Sequence, residues 1–279
     1  MIIVIGATGP VGRSAITLLN EAGHDVAAVT RDPGAARFPE GVRVIGADPS
    51  APGSLDAYWE GVDGVLLSPR AAGAEAANLL KSAAAQGVRR VAVISSATVA
   101  HPAGEPRFAE GFKAAERAAE DSGLAWTHLR CTDFATNTLA WAPQVPSGSV
   151  RGAYANAASS TIHERDIAAV AVKTLTEIGH EGRSYVITGP ESLTQTRKAQ
   201  LLGEALGRDL AYVELPPEQV RAAMLAQGLP AEIPARLLGS LADFAREAGP
   251  HTDTVERLLG RPALTYREWA VEHAAAFSR

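Results

Sequence analysis

The sequence predicts an α/β chain in which a doubly wound parallel sheet carries a smaller, mainly helical C-terminal substrate lobe. Three observations predict it. Short apolar runs recur up to about residue 190, amphipathic stretches separate them, and helical stretches dominate beyond Gly189-Pro190. The runs are IIVI (2–5), DVAAVT (25–30), VRVI (42–45), GVLLS (64–68), RVAVIS (90–95), AWTHLR (125–130) and SYVIT (184–188). Most are continuous rather than alternating, as strands covered on both faces should be.

Each element has a local reason. VGRSAITLLNEAG and AEAANLLKSAAAQG carry helical periodicity and stop at Gly. Strand, helix, strand in repetition requires right-handed crossovers, with the ligand site at the carboxyl ends of the strands. The later stretches QTRKAQLLGEALG, PEQVRAAMLAQG, PARLLGSLADFAREAG and YREWAVEHAAAF read as helices broken by Pro and Gly. The expected division is a binding domain over residues 1–150, completed by about 160–190. A substrate lobe takes 133–160 and 190–279.

Hydrophobic residues make up 46% of the 279, charged residues 20%, and the net charge is −5. No basic block tracks a phosphate backbone, which argues against nucleic acid. Cys131 is the only cysteine, so neither an intramolecular disulfide nor a cysteine metal site can form. No His and acid pair has metal-like spacing, and no metal is expected. The strand-like run at residue 2 leaves no room for a signal peptide, and no apolar run reaches the ~18 residues of a membrane span. A cytoplasmic chain is expected, with a small apolar or aromatic molecule as its partner and a homodimer as the candidate assembly.

GATGPVGR (6–13) follows the first strand and opens a helix. In that context the glycines permit a tight turn, close approach to a pyrophosphate and close helix–strand packing, while the helix N-terminus offers N–H groups. Gly6, Thr8, Gly9, Pro10, Val11 and Gly12 are the expected cofactor contacts in this loop. The second strand ends in VTRDP (29–33). Thr30 stands where an NAD-selective site usually has an acid, and Arg31 after it suits a 2′-phosphate. NADP(H) is therefore the expected cofactor, with Arg13 as a second candidate cation. Asp32 is read as a turn former before Pro33, with a ribose contact as its alternative. Asp48 is either an adenine contact or a turn Asp. Ser68 and Pro69 end the fourth strand beneath the expected ribose, and Ser95 ends the fifth near the expected nicotinamide.

GATGPVG, VTRDP, GADPSAPGSL (46–55), SGLAWTHLR (122–130) with DFATN (133–137), IHERDIA (162–168) and YVITGPESLT (185–194) together resemble the NmrA-like group of atypical short-chain dehydrogenase/reductases. The resemblance covers residues 1 to about 210. It implies an NADP(H)-binding Rossmann domain with a small substrate lobe, and functions from quinone and carbonyl reduction to cofactor sensing without turnover. Cys131 stands where relatives usually have Pro, Phe112 where some have His, and Ala51 where a second Asp is usual.

Carbonyl reduction needs a proton donor or a stabiliser for the alkoxide. A Tyr-x-x-x-Lys pair is the usual solution, but none of the five tyrosines has Lys four residues later. In the stretch FKAAE (112–116) Phe112 and Glu116 occupy the frame. Ser95, Lys113 and Asn137 are the candidate catalytic residues. Lys113 has a competing reading as a surface residue paired with Glu116 or Arg117, and Asn137 as a loop tie; Glu116 reads equally as a ribose-side or loop contact and as an exposed helix acid. Phe134 is expected beside the nicotinamide. His163 is a weaker catalytic candidate, and His128 and Trp126 read as strand core.

The expected activity is an NADPH-dependent oxidoreductase passing hydride to a quinone, enone or aromatic ketone without a Tyr-Lys dyad. The alternative is a non-catalytic NADP(H) sensor of NmrA type. Replacing Arg31 by Ala should weaken NADPH roughly 10- to 100-fold, the size of a lost charged hydrogen bond, and leave NADH nearly untouched. Fluorescence titration of both cofactors checks this, and equal losses would remove Arg31 from the 2′-phosphate.

Overall fold

A computed structural model describes residues 1–277. The chain divides into two compact units. The first comprises residues 1–99, 110–131 and 164–186. Its sheet has the strands β1 (Ile2–Ile5), β2 (Val26–Thr30), β3 (Arg43–Gly46), β4 (Gly64–Leu67), β5 (Arg90–Ser96), β6 (Ala125–Cys131) and β7 (Arg183–Ile187). The order is β3-β2-β1-β4-β5-β6-β7. The pairs from β3 through β6 run parallel. The order reverses between β1 and β4, which sets the switch-point crevice of a doubly wound sheet.

The longer helices of this unit are α1 (Pro10–Glu21), α2 (Ala76–Ala85), α3 (Pro106–Glu120) and α4 (Glu164–Thr176). Helices α1 and α4 pack on each other. Ile3, Ile5, Val29, Val65 and Val93 join Leu80 of α2 and Ala115 and Ala119 of α3 in one apolar core, with Trp59 buried in it. Every residue of β1, β2 and β4 is buried, the physical origin of their unbroken apolar runs. Strand β3 departs from that pattern. It is the sheet edge, and only Ile45 of its four residues is buried.

The second unit comprises residues 100–109, 132–163 and 187–279. Two short strand pairs lie in it: Ser149–Gly152 runs parallel to Ala211–Glu214, and Ala158–Ser159 antiparallel to Leu193–Thr194. Its helices are α5 (Gln195–Leu206), α6 (Pro217–Ala226), α7 (Glu232–Arg246), α8 (Thr254–Leu259) and α9 (Tyr266–Glu272). Thr194 caps α5 by accepting from the Arg197 N–H, and Thr265 with Glu268 forms a capping box on α9, each worth about 1 kcal/mol. Leu201, Leu202, Val150, Tyr266, Trp269 and Phe277 make the core of this unit. Segment 100–109 is tied to α7: the Asp243 carboxylate accepts the Gly104 N–H at 2.7 Å, and the Arg236 guanidinium lies 4.3 Å from the Phe108 ring centre.

The sharpest steric constraint in the first unit is Gly12. A Cβ there would lie 2.3 Å from the Gly6 carbonyl oxygen and 2.9 Å from Ala7 Cα, both backbone atoms that cannot swing aside. Gly12→Ala should lower stability by about 2 kcal/mol, the scale of overpacking, and weaken NADPH with it. Urea unfolding would register the loss, and a variant as stable as the parent would mean that α1 can shift on β1 without cost.

Candidate functional site

The first unit places a glycine turn at the carboxyl end of β1. Gly6 has φ +92°, a left-handed conformation that favours glycine, and a Cβ on it would lie 2.6 Å from Ser68 Cβ. The Gly9 N–H donates to the Gly6 carbonyl at 3.1 Å. Gly9 then caps α1 without a side chain, and Pro10 sits in the first turn where its missing N–H costs nothing. Val11 and Gly12 are buried, whereas Thr8 is exposed and its carbonyl accepts from Arg13 Nε. Ser68, at the end of β4, donates its N–H to the Ile5 carbonyl and begins a helical turn at Pro69. A cradle that any Cβ would fill, topped by a helix N-terminus with no side-chain cap, fits a dinucleotide pyrophosphate.

Three arginines surround the neighbouring loop. Arg31 is exposed just after the buried Thr30. Asp32 is a turn former, its carboxylate accepting the Ala35 N–H at 3.0 Å. Arg13 donates to the Arg37 carbonyl and lies over the Phe38 ring at 5.6 Å. Arg37 in turn donates to the carbonyls of Gly34 and Ala36. Arg37 escaped the sequence reading, although RDPGAAR spells a second cation one turn of loop beyond Arg31. Asp48 accepts from both the hydroxyl and the N–H of Ser50. Those hydrogen bonds, with a smaller contribution from the Arg31 charge, hold its carboxyl below the usual range.

The frame of FKAAE is resolved by a buried charge network. β5 and β6 pair in register with Ser95 opposite Arg130, and Glu116 of α3 reaches both. The Ser95 hydroxyl donates to Glu116 Oε1 at 2.5 Å. Arg130 forks the same carboxylate, Nε to Oε1 at 3.0 Å and Nη2 to Oε2 at 2.7 Å. Glu116 is only 4% exposed, which corrects the expectation of an exposed helix acid. Burial pushes its carboxyl up, but the hydrogen bonds from Arg130 and Ser95 outweigh that and hold it below the ordinary range. The fork also raises the Arg130 guanidinium. His128 is fully buried, stacked on Trp126 at 4.3 Å and hydrogen-bonded through Nδ1 to the Ser184 hydroxyl. Desolvation pushes its pKa down more than Glu116, 3.6 Å away, raises it.

Lys113 stands outside this network. Its ammonium is 2.8 Å from Glu110 on the surface, so its partner is one turn before it rather than Glu116 or Arg117. Cys131 ends β6 as a buried thiol that donates to the Leu129 carbonyl, and burial raises it well above the usual thiol range.

In the second unit the chain after β6 is fastened by Asp133. Its carboxylate accepts from Asn137 Nδ2 at 2.7 Å, from the Thr161 hydroxyl at 3.3 Å and from Lys198 at 3.2 Å. Lys198, buried on α5, was not singled out from sequence, because nothing local in TRKAQ distinguishes it from a surface lysine. Phe134 is half-buried, bridges to Ile162 and precedes the 3-10 turn Ala135–Trp141. Trp141 and Tyr212 form a tilted aromatic pair at 5.9 Å. His163 is buried, with its ring nitrogen 3.4 Å from Glu272.

Residues 6–178 match the family model described as NAD(P)H-binding. Over its whole length the chain is 36% identical to (4-alkanoyl-5-oxo-2,5-dihydrofuran-3-yl)methyl phosphate reductase of Streptomyces griseus subsp. griseus, covering 99% of that protein. It is 35% identical to NAD(P)H azoreductase of Xenophilus azovorans, with 99% of each chain covered. Among solved structures it resembles an NADPH-dependent quinone oxidoreductase from Escherichia coli complexed with NADPH, with a TM-score of 0.81 at 27% identity over 98% of this chain and 99% of that one. The glycine cradle, the sheet order and these likenesses agree, and the chain belongs to the NAD(P)H-binding family.

Proposed function

We propose that this NADPH-dependent reductase acts in the cytoplasm on quinones, enones or aromatic ketones, acceptors whose developing anion is stabilised by conjugation. One observation carries the reading. The frame that would hold Tyr and Lys holds Phe112 and a Glu116 already committed to Ser95 and Arg130. A phenylalanine has no proton to give, and a carboxylate held ionised by an arginine fork has none either. When bound, NADPH supplies the hydride. The Gly6–Gly12 cradle with Ser68 and Pro69 seats its pyrophosphate and ribose, Arg31 with Arg13 and Arg37 takes the 2′-phosphate, and Asp48 contributes a polar contact to the cofactor.

The substrate class has support in the second unit as well. Helix α7 keeps Ile233, Leu237, Leu238, Leu241 and Phe244 partly exposed, an apolar stripe suited to a planar aromatic molecule. Asn137 serves as the tie of the 133–137 segment, as its bond to Asp133 indicates. The relatives named above reduce an azo compound, a quinone and an unsaturated lactone phosphate by their names, all conjugated acceptors.

A panel of quinones, enones and simple ketones with NADPH, followed at the nicotinamide absorbance, tests the reading. Oxidation with quinones and little or none with simple ketones is expected, and silence across the panel would defeat it. Phe112→Tyr should raise turnover of simple ketones by about 100-fold, the lower range of general acid catalysis. No gain in that variant would mean that residue 112 does not border the reacting carbonyl.

A further inference from the structure

The Glu116 fork uses two of the three guanidinium nitrogens of Arg130. Nε and Nη2 bind the carboxylate, whereas Nη1 has no partner among the described residues. The Arg130 side chain is 22% exposed while the Glu116 side chain is 5% exposed, so the guanidinium is not closed off as its partner is. Its place is the carboxyl end of β6, opposite Ser95 in register and one residue short of the strand end at Cys131. In a doubly wound sheet this is the ligand-binding edge.

We propose that Arg130 is the anion-stabilising group of the reaction, its free nitrogen donating to the acceptor oxygen on which negative charge develops. This rests on the reductase reading above. Hydride transfer from NADPH to one quinone oxygen forms an O–H bond and oxidises NADPH to NADP+, while the carbonyl π electrons shift through the aromatised ring to the other oxygen, giving the hydroquinone monoanion. One proton from water then completes the hydroquinone. Arg130 takes no proton and gives none. It supplies a charge-assisted hydrogen bond that is strongest when the oxygen is most negative, which is the requirement for lowering a barrier rather than only binding substrate. Glu116 is a positioning residue here. A forked guanidinium is held in one plane and pays little reorganisation when the anion forms.

The test uses 4-nitrophenol as an anion probe on the NADP+-saturated protein, together with steady-state kinetics on benzoquinone. The parent should bind 4-nitrophenol with its ionisation shifted down by about one pH unit or more, a charged hydrogen bond converted by 1.36 kcal/mol per unit. In the double variant Glu116→Gln, Arg130→Met, which leaves no buried charge unpaired, that shift should vanish. Its kcat should fall about 100-fold, the scale of one lost oxyanion donor, with NADPH affinity unchanged. Arg130→Lys keeps the charge without the fork, and it should retain part of the shift and lose part of kcat. It decides the matter alone if melting curves show that the double variant does not fold. A structural ion pair would change melting temperature and leave the nitrophenol ionisation and kcat where they were, which would overturn the proposal. So would a parent that does not bind the probe. Benzoquinone reduction that survives loss of Arg130 sinks this inference and leaves the reductase reading standing. A shifted nitrophenol with no quinone turnover does the reverse.

Discussion

A carboxylate placed between a helix and a sheet must be neutralised where it lies, and Glu116 imposes that demand on the first unit. Leaving such a group unpaired costs about 3–5 kcal/mol. The sequence meets the demand with two residues that only the β5–β6 register can bring together, Ser95 and Arg130. A slip of β6 by one residue would turn Arg130 to the opposite face, away from Ser95 and Glu116. The ion pair therefore specifies strand register and helix position at the same place where a reductase of this build usually carries its proton donor. The stability of the pair against an apolar alternative is modest at best. Its geometric specificity is the greater effect.

The cofactor end of the same sheet works by omission of side chains. Gly6 and Gly12 bring α1 so near the end of β1 that a single added carbon would meet the backbone. That closeness leaves the first N–H groups of the helix open to a phosphate, with Arg31 and the Arg13–Arg37 pair beside them. The two ends of the apparatus are thus built in different ways: one from absent atoms, the other from a buried charge and its counter-charges.

Those differences explain what could be read from the chain alone. Strands buried on both faces declare themselves through unbroken runs such as IIVI and GVLL, and the glycine turn declares itself through spacing. The exposed face of β3 did not, because VRVI is apolar enough for a central strand and only pairing on one side makes it an edge. The glycine spacing was legible for the same reason, being local in sequence. Glu116 was not: a glutamate in an Ala- and Glu-rich helix carries no local mark of burial, and its partners lie 21 and 14 residues away. Asp133 and Lys198 are 65 residues apart and were invisible as a pair for the same reason. His128 was legible as core because its strand position, between Trp126 and Arg130, left it no route to solvent.

The network also bears on where the proton of the reaction can come from. Glu116 is held ionised by Arg130 and Ser95, Arg130 is held protonated by Glu116, and His128 is held neutral by burial. All three shifts run away from neutrality, Glu116 and His128 downward and Arg130 upward, so none is tuned toward exchanging a proton with an acceptor. A dyad whose pKa is tuned to the working pH makes the enzyme the proton source. A network whose members are all driven away from that pH makes the enzyme a fixed field and leaves the proton to water. Such a site favours acceptors that survive as anions long enough to be protonated from solution, and it disfavours simple ketones, whose alkoxides do not. The fold keeps the frame of FKAAE and its contact with β5 and β6, and places a charge pair where the usual dyad would stand.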